Sequence, residues 1–204
     1  KGLDLICEVL HDMMELPMQL VILGKGDQKY EEFFSWAAQQ YHGRMSVCLD
    51  YNEALSMAIY SGADLFLMPS KSEPCGLSQM IAMRYGTVPI VHATGGLRDS
   101  VRAYKEFDGI GDGFAFYDYH YKSLMLSIQE AVTLYFANEK QFNKLRERDM
   151  KKDFTWRKSA QQYLRMYADI ADIKEDKPLI PFAEAFETLK KAYIKVDAAN
   201  KKAH

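Results

Sequence analysis

The chain has little cysteine: Cys7, Cys48 and Cys75 are the only three in 204 residues, and no two stand in a CxxC pair. This spacing argues against a disulfide framework and against a structural zinc site. The five histidines show no metal-ligand spacing either. We therefore expect no bound metal and a reducing compartment, either a cytoplasm or, for a plant or alga, the plastid stroma.

Long hydrophobic runs and an excess of one charge are also missing. The longest apolar runs, such as residues 20–23 and 65–68, are too short to span a bilayer, and no charged-then-apolar leader precedes them. Lys and Arg number 26 against 28 Asp and Glu, which gives a net charge of −2. We therefore expect a soluble protein with neither a membrane nor a nucleic acid as partner.

What the chain does contain is a regular alternation of short apolar runs and helical patterns. Hydrophobic residues make up 48% of it, enough for a sizeable core. The alternation predicts an α/β fold, a Rossmann-like parallel sheet with helices on both faces. Three glycines within residues 109–113 predict a surface loop. The predicted strands are 18–23, 45–49, 64–68, 88–92 and 113–117, and the predicted helices are 3–14, 29–41, 52–61, 77–85, 121–136, 139–151, one opening at 95–96 and one starting at 156.

The two ends of the chain suggest how it is organised. The chain starts at Lys1 and reads at once as a helix, before which a domain normally supplies a strand, so we interpret it as a C-terminal piece of a longer protein. Residues 1–173 then form a Rossmann-like lobe with its C-terminal helix, and residues 174–204 form a charged linker and an amphipathic helical tail. The apolar stripes of these helices either pack within the chain or pair with a second copy, so a homo-oligomer stays open.

Residues 64–101 carry the most chemistry. A predicted buried strand leads to the carboxyl edge of the sheet, where open α/β folds bind ligands, and the following loop has a single acid, Glu73. Gly76 lets the backbone approach a ligand closely, and Leu77 and Ser78 begin a helix whose free N–H groups suit a phosphate. A carboxylate repels a diphosphate but accepts hydrogen bonds from sugar hydroxyls. This combination predicts a nucleotide-sugar site.

Three sequence runs in this segment resemble those of bacterial glycogen synthase and plant starch synthase. They read EPCGLSQ at 73–79, RYGTVP at 84–89 and TGGLRD at 94–99. Further agreement at 1–4, 23–27, 50–54 and 153–156 extends the resemblance over roughly residues 1 to 170.

This resemblance implies the C-terminal, donor-binding lobe of a GT-B glycosyltransferase, in which two Rossmann-like lobes enclose the active site and a C-terminal helix crosses back to the other lobe. It implies a retaining transfer of glucose from ADP-glucose, or UDP-glucose in some relatives, to an α-1,4-glucan, without metal or other cofactor. The acceptor would be bound largely by an N-terminal lobe. We therefore expect this chain to be inactive alone.

Residue by residue, the resemblance assigns two catalytic residues, Glu73 at the hydroxyls of the donor glucose and Lys1 at its diphosphate. Tyr51 matches the position whose ring stacks on the nucleotide base. The full set of nucleotide-sugar-binding positions is Gly24, Gly26, Tyr51, Cys75, Gly76, Leu77 and Ser78.

Some features depart from the family pattern or leave alternatives open. The arginine that partners the family lysine lies upstream of Lys1, which is terminal and expected to fray. Ile81 stands where related transferases with an E-x7-E pattern have a second glutamate. A non-catalytic nucleotide- or partner-binding module is the alternative function. A third possibility is another retaining transferase of the same fold. The sequence run at 73–79 argues against it, because such relatives usually have a different sequence in this loop.

Overall fold

The computed structural model describes residues 1–105 and 108–170. They belong to two compact units, Lys1–Lys152 and the unit that starts at Asp153. The described part of the first unit holds five strands and seven helices. In chain order these are α1 Leu3–Glu15, β1 Leu20–Leu23, α2 Gln28–Gln40, β2 Met45–Cys48, α3 Glu53–Gly62, β3 Leu65–Met68, α4 Ser78–Arg84, β4 Val88–His92, α5 Gly95–Ser100, β5 Phe114–Phe116, α6 Tyr121–Ala137 and α7 Glu139–Met150.

All strand pairs are parallel, as the alternation of strands and helices predicts. They form two pieces of sheet, one with the order β1-β2 and one with the order β3-β4-β5. Within the described residues β1 and β3 do not pair with each other, so the sheet is interrupted between them.

Helices cover both faces of the three-stranded piece, and the α/β prediction is confirmed. Val88 and Ile90 of β4 point into the larger core cluster, which α1 and α6 complete. Val91 points the other way, into a smaller cluster with Met83 of α4 and Leu97 of α5. This alternation is the period of two that a strand imposes on its side chains. All five residues of β4 are buried.

The larger core depends on the packing of α1 against α6. Leu5, Val9 and Met13 recur at four-residue intervals along α1 and are each at most 4% exposed. On α6, Leu124 and Ile128 show the same spacing and the same burial. The helical period of 3.6 residues therefore gives each helix one apolar face, and the two faces meet.

Two local predictions have different outcomes. The helix predicted at 52–61 is confirmed as α3, and Asn52 caps it, because the Asn52 Oδ1 accepts the Leu55 N–H at 2.8 Å. The surface loop at 109–113 is only partly exposed, because residues 111–113 are buried. Tyr104 N–H donates to the Gly113 carbonyl at 2.7 Å, and Asp112 Oδ2 lies 3.0 Å from Lys152 Nζ. These contacts hold the second half of the loop against Tyr104, which precedes it, and Lys152, which follows α7.

The described part of the second unit, residues 153–170, contains helix α8, Trp156–Ile170, which begins where the sequence predicts. Tyr163 and Tyr167, four residues apart, have ring centroids 6.2 Å apart. The predicted domain boundary at 173 and the tail 174–204 lie outside the described residues, and an oligomer formed through these helices stays a prediction. Among the described helices none is long and apolar enough to cross a membrane.

The register of α6 can be tested by two leucines two positions apart. Leu124 is fully buried and Leu126 is 60% exposed. We expect Leu124→Ala to lower the free energy of unfolding by about 2–5 kcal/mol, because it leaves a cavity in the core. Leu126→Ala should change it by about 0.5 kcal/mol or less. Equal losses in urea-unfolding measurements would contradict this assignment of buried and exposed faces.

Candidate functional site

The candidate site is built on the loop that follows β3, residues 69–77. Parallel strands bring their carboxyl ends to one edge of a sheet, and open α/β folds bind ligands at that edge. The amino end of α1 lies here too, because the backbone of Gly2 packs directly on Pro69. Lys1 is thereby placed beside the loop.

Glu73 of this loop forms an ion pair with Lys1, which lies beside the loop. Glu73 Oε2 accepts a hydrogen bond from Lys1 Nζ at 2.7 Å and one from Ser70 Oγ at 3.4 Å. The Glu73 side chain is 12% exposed, whereas that of Lys1 is 72% exposed. The Lys1 side chain thus reaches the carboxylate although it is largely exposed, and the expected fraying of this terminal residue stays a prediction.

The same contact controls the ionisation of Glu73. The hydrogen bond from Lys1 is the largest cause that lowers the pKa of the Glu73 carboxyl from its usual value, and it outweighs the opposing effect of desolvation. Glu73 is therefore a carboxylate at neutral pH, able to accept hydrogen bonds but not to donate one.

The backbone of the loop is fixed against the start of α5. Gly96 N–H donates to the Glu73 carbonyl at 3.0 Å. A Cβ on Gly95 would overlap that carbonyl, and a Cβ on Gly96 would overlap the backbone of Cys75. Gly95 also has φ +45°, which glycine adopts most readily. Glycine is thus required at positions 95 and 96, because the backbone of the loop approaches both residues closely.

Gln79 braces the loop from the other side. It is fully buried in α4, and its Nε2 donates to the Gly76 carbonyl at 2.8 Å and to Ser100 Oγ at 2.9 Å. Ser100 Oγ in turn donates to the Gly96 carbonyl at 2.7 Å. The loop, α4 and α5 are therefore joined by one polar network, which limits how far Glu73 can move.

Three backbone donors remain free where the loop enters α4. Within the described part of the chain, the N–H groups of Gly76, Leu77 and Ser78 donate to no protein acceptor. Leu77 is 65% exposed, so solvent or a ligand can reach these groups. Successive free N–H groups on one turn form a concave, partly positive surface that suits an anion. The helix that follows, α4, has only seven residues, so the free N–H donors contribute more to anion binding than the dipole of this helix does.

The remaining predicted positions lie at the ends of β1 and β2. Gly24 and Gly26 both have open space where a Cβ would be, and Gly26 N–H donates to Glu31 Oε1 at 2.9 Å. The Tyr51 side chain is 88% exposed. Its N–H donates to Asp50 Oδ1 at 2.8 Å. The structure thus joins Lys1 and Glu73 directly, and among the described residues neither of them forms a hydrogen bond or an ion pair with Gly24, Gly26 or Tyr51.

The three cysteines carry free thiols, and the described His, Cys, Asp and Glu side chains are spread over the fold. Cys7, Cys48 and Cys75 are free thiols, and Cys75 is exposed, with its Sγ 3.8 Å from the Gly76 carbonyl oxygen. In residues 1–105 and 108–170 no three His, Cys, Asp or Glu side chains are grouped so that they could hold a metal ion.

Sequence reasoning missed the residues that support Glu73. Ser70 donates to its carboxylate, and the Ser70 carbonyl lies 2.8 Å from Nδ1 of His92, which is 7% exposed. Gln79 and Ser100 form the network described above. A polar residue at a buried position of a helix or strand, as at Gln79 and His92, is the signal that could have found them.

Comparison with known proteins gives a consistent result. Residues 1–151 match the family described as glycosyl transferases group 1. Glycogen synthase of Geobacillus thermodenitrificans is 47% identical over 180 residues, which are 88% of this chain and 37% of that protein. Glycogen synthase of Desulfitobacterium hafniense is 47% identical over 170 residues, which are 83% of this chain and 36% of that protein. The chain thus spans little more than a third of these curated relatives.

Solved structures agree with the sequence matches. The catalytic domain of starch synthase IV from Arabidopsis thaliana, bound to ADP and acarbose, superposes with a TM-score of 0.75 at 37% identity, over 83% of this chain and 36% of that one. Sucrose-phosphate synthase from Thermosynechococcus elongatus has a TM-score of 0.59 at 23% identity, over 85% and 43% of the two chains, and shows the fold alone. The resemblance to glycogen and starch synthases and the GT-B fold class are confirmed.

The ion pair predicts a measurable change in the titration of Glu73. Lys1→Met removes the ammonium group, so the pKa of Glu73 should rise towards the ordinary glutamate value of about 4.3. The ion pair lowers the pKa of the Glu73 carboxyl in the folded chain relative to the unfolded chain. The pair therefore stabilises the folded chain fully at a pH above the unfolded-state pKa of Glu73, and this stabilisation is lost as the pH falls through the folded-state pKa. That effect should be below about 1 kcal/mol, since Lys1 is largely exposed.

Carboxyl ¹³C NMR titration measures this pKa directly. Lys151→Met is the matched control, because Lys151 pairs with Glu147 at 4.0 Å on the surface of α7 and should leave Glu73 unchanged. An unchanged Glu73 titration in Lys1→Met would show that the ion pair is not formed in solution.

Proposed function

Because the chain belongs to the glycosyl transferases group 1 family, we propose that it is the donor-binding lobe of a retaining glucosyltransferase that moves glucose from ADP-glucose to an α-1,4-glucan in glycogen or starch synthesis. The observation that carries the proposal is the position of an ionised, nearly buried Glu73 beside an exposed ammonium group and three free backbone N–H groups. A nucleotide-sugar needs this combination, since it presents neutral hydroxyls next to a diphosphate.

In this proposal the positive groups receive the diphosphate. The N–H groups of Gly76, Leu77 and Ser78 face the distal phosphate, and the Lys1 ammonium neutralises the rest of its charge. Negative charge grows on the diphosphate as the bond to the glucose C1 breaks. Donors that are already fixed in place stabilise that charge without reorganising. The polar network through Gln79 supplies this rigidity.

Glu73 has the complementary task of holding the sugar. As a carboxylate it accepts hydrogen bonds from the glucose hydroxyls, and the Lys1 ammonium at 2.7 Å reduces its repulsion of the diphosphate. We therefore assign it to positioning the donor glucose during bond cleavage, rather than to removing a proton.

The nucleoside would lie over the ends of β1 and β2. The exposed ring of Tyr51 is available for stacking on the base, and Gly24 and Gly26 leave space for the ribose and the base. Cys75 contributes a small side chain in the glucose loop. The starch synthase neighbour, 37% identical, binds ADP, which favours an adenine donor over UDP-glucose.

Transfer to a glucan needs the remainder of the enzyme. The chain spans 37% of the first relative, and we propose that the missing portion holds most of the acceptor site. Holding donor and acceptor together can supply about 7–11 kcal/mol of the barrier in favourable cases, so the chain alone should not extend a glucan. Its three free thiols fit a reducing cytosol. A non-catalytic nucleotide-binding module is the alternative, and measured transfer by the longer protein would exclude it.

Thermal unfolding with four ligands tests donor binding. At 100 times its dissociation constant a ligand stabilises the chain by about 2.7 kcal/mol, which should raise the melting temperature by roughly 5–10 °C. We expect ADP and ADP-glucose to act more strongly than UDP and UDP-glucose. Glu73→Gln should keep the shift with ADP and lose the additional shift with ADP-glucose.

Two variants make this assay specific. Lys1→Met should weaken the shifts with ADP and ADP-glucose alike, whereas Glu147→Gln, on the surface of α7, should change neither. The donor-site proposal fails if no nucleotide shifts the transition of the folded chain, or if Glu73→Gln binds ADP-glucose as tightly as the unmodified chain does.

A further inference from the structure

Helix α7 carries an acidic residue on its buried face. Phe142, Leu145 and Asp149 follow one another at the spacing of a helix and are each 1% exposed. The first two are apolar and belong to the larger core cluster. The third is a carboxyl group, and within the described residues neither of its oxygens has a hydrogen-bond partner. A buried polar group without partners destabilises a fold, which points to a role for Asp149 other than packing.

The surroundings of Asp149 favour its neutral form. Burial is the largest cause that raises the pKa of its carboxyl, to about 8, and repulsion by the Asp112 carboxylate in the loop before β5 adds to it. The positive charges of Lys152 and Arg148 act in the opposite direction and do not offset these two effects. Asp149 therefore holds a proton at neutral pH.

The elements packed on α7 direct their other titratable groups elsewhere. Arg84 of α4 donates to the Met150 carbonyl, and the ring of Tyr135 of α6 packs on Phe142. The ring of His92, at the end of β4, is bound to a carbonyl of the loop after β3. The ionisation of the buried carboxyl is thus governed by the three charges named above.

Lys152 connects this carboxyl to the neighbouring elements. Its N–H donates to the Asp149 carbonyl at 3.1 Å, which keeps the two residues adjacent. Its Nζ lies 3.0 Å from Asp112 Oδ2 and donates to the Ser100 carbonyl at 3.0 Å. The side chains of Lys152 and Asp112 are 27% and 12% exposed, and Asp112 Oδ2 also accepts the Arg102 N–H at 3.3 Å. Solvent screens such a pair less than a surface pair, so the Lys152 ammonium group responds to a new charge beside it.

Ser100 belongs to the polar network that braces the loop after β3. Its Oγ accepts a hydrogen bond from Gln79 Nε2 and donates to the Gly96 carbonyl. Gln79 Nε2 also donates to the Gly76 carbonyl, at the turn with the free N–H groups. A shift of Lys152 Nζ away from the Ser100 carbonyl therefore acts on the end of α5 and, through Gln79, on the backbone at Gly76.

We propose that the protonation state of Asp149 controls how firmly the loop after β3 is braced, and that Lys152 transmits the effect. While Asp149 is neutral, the Lys152 ammonium group bridges the Asp112 carboxylate and the Ser100 carbonyl. When Asp149 loses its proton to solvent, two carboxylates compete for one ammonium group, which moves from the Ser100 carbonyl towards Asp149. The loop then loses part of its support at mildly alkaline pH. The expected loss of donor affinity rests on the proposed function, whereas the coupling itself does not.

Thermal unfolding tests whether Asp149 is protonated in the folded chain. Because its pKa is raised on folding, the stability of the chain falls as pH rises from the ordinary aspartate pKa towards the folded-state pKa, and then levels off. Asp149→Asn carries no charge at any pH. We expect its melting temperature to gain about 5 °C or more on that of the unmodified chain between about pH 5 and about pH 8. Glu147→Gln, which removes an exposed carboxylate from the same helix, is the matched control and should show no such gain.

NMR follows the transmission through Lys152. The ¹³C resonance of the Asp149 carboxyl should titrate near pH 8, and the amides of Gly96 and Ser100 and the side-chain amide of Gln79 should shift with the same midpoint. In Lys152→Met the carboxyl should titrate at higher pH, and the three amides should no longer follow it. A carboxyl that titrates near the ordinary aspartate value of about 3.9 would overturn the proposal.

Two titratable groups beside the loop require a control. The Cys75 thiol is exposed next to Gly76, and the amino group of Lys1 acts on Glu73. Asp149→Asn retains both groups, so a pH-dependent shift that disappears in this variant is caused by Asp149. Amides that titrate equally in Asp149→Asn and in the unmodified chain would contradict the coupling.

Donor affinity measured against pH separates this inference from the proposed function. In calorimetric titrations with ADP-glucose, we expect Kd to rise about fivefold from about pH 7 to about pH 9 in the unmodified chain and to stay constant in Asp149→Asn. If no nucleotide binds while the amides follow Asp149, the proposed function fails and the coupling stands. If ADP-glucose binds with the same pH dependence in both chains, the donor site stands and the coupling is refuted.

Discussion

The hydrogen bond from Gly96 N–H to the Glu73 carbonyl, 3.0 Å long, is the contact on which the candidate site depends. It joins the loop after β3 to the first turn of α5, and it forms only because neither Gly95 nor Gly96 carries a Cβ. With the backbone fixed there, the Glu73 side chain points to Lys1, and the N–H groups that follow remain free. A side chain at either glycine would displace the carboxylate and the anion-binding turn together.

The electrostatics of the site follow from that geometry. One carboxylate and three free N–H groups lie on a single short loop, and the Lys1 ammonium group lies beside that carboxylate, so a ligand meets an acceptor and several donors close together. The ammonium group lowers the pKa of Glu73, and the buried Gln79 keeps the donors in place. Each group alone is common at protein surfaces. Their fixed proximity is what suits a sugar attached to a diphosphate.

Much of the fold was predictable because its periodicity is strong. Strand β3 is an unbroken apolar run, and α1 repeats apolar residues every three or four positions, so both could be assigned from local pattern alone. The support of Glu73 by Ser70, His92 and Gln79 could not, because it joins residues from three elements that only the folded chain brings together. The burial of residues 111–113 was missed for a similar reason, since glycine spacing reports turns and not what packs on them. The division of the sheet into two pieces was not predicted either, because strand pairing depends on distant segments of the chain, which no local pattern encodes.

The central claim is that the loop after β3 binds the diphosphate of the donor through its own backbone. A ¹H–¹⁵N NMR titration of the chain with ADP tests it directly, because each amide reports separately. We expect the largest shifts at Gly76, Leu77 and Ser78, with a second group at Tyr51 and the ends of β1 and β2. Shifts confined to other surfaces, such as residues 144–152 of α7 and its end, would contradict it.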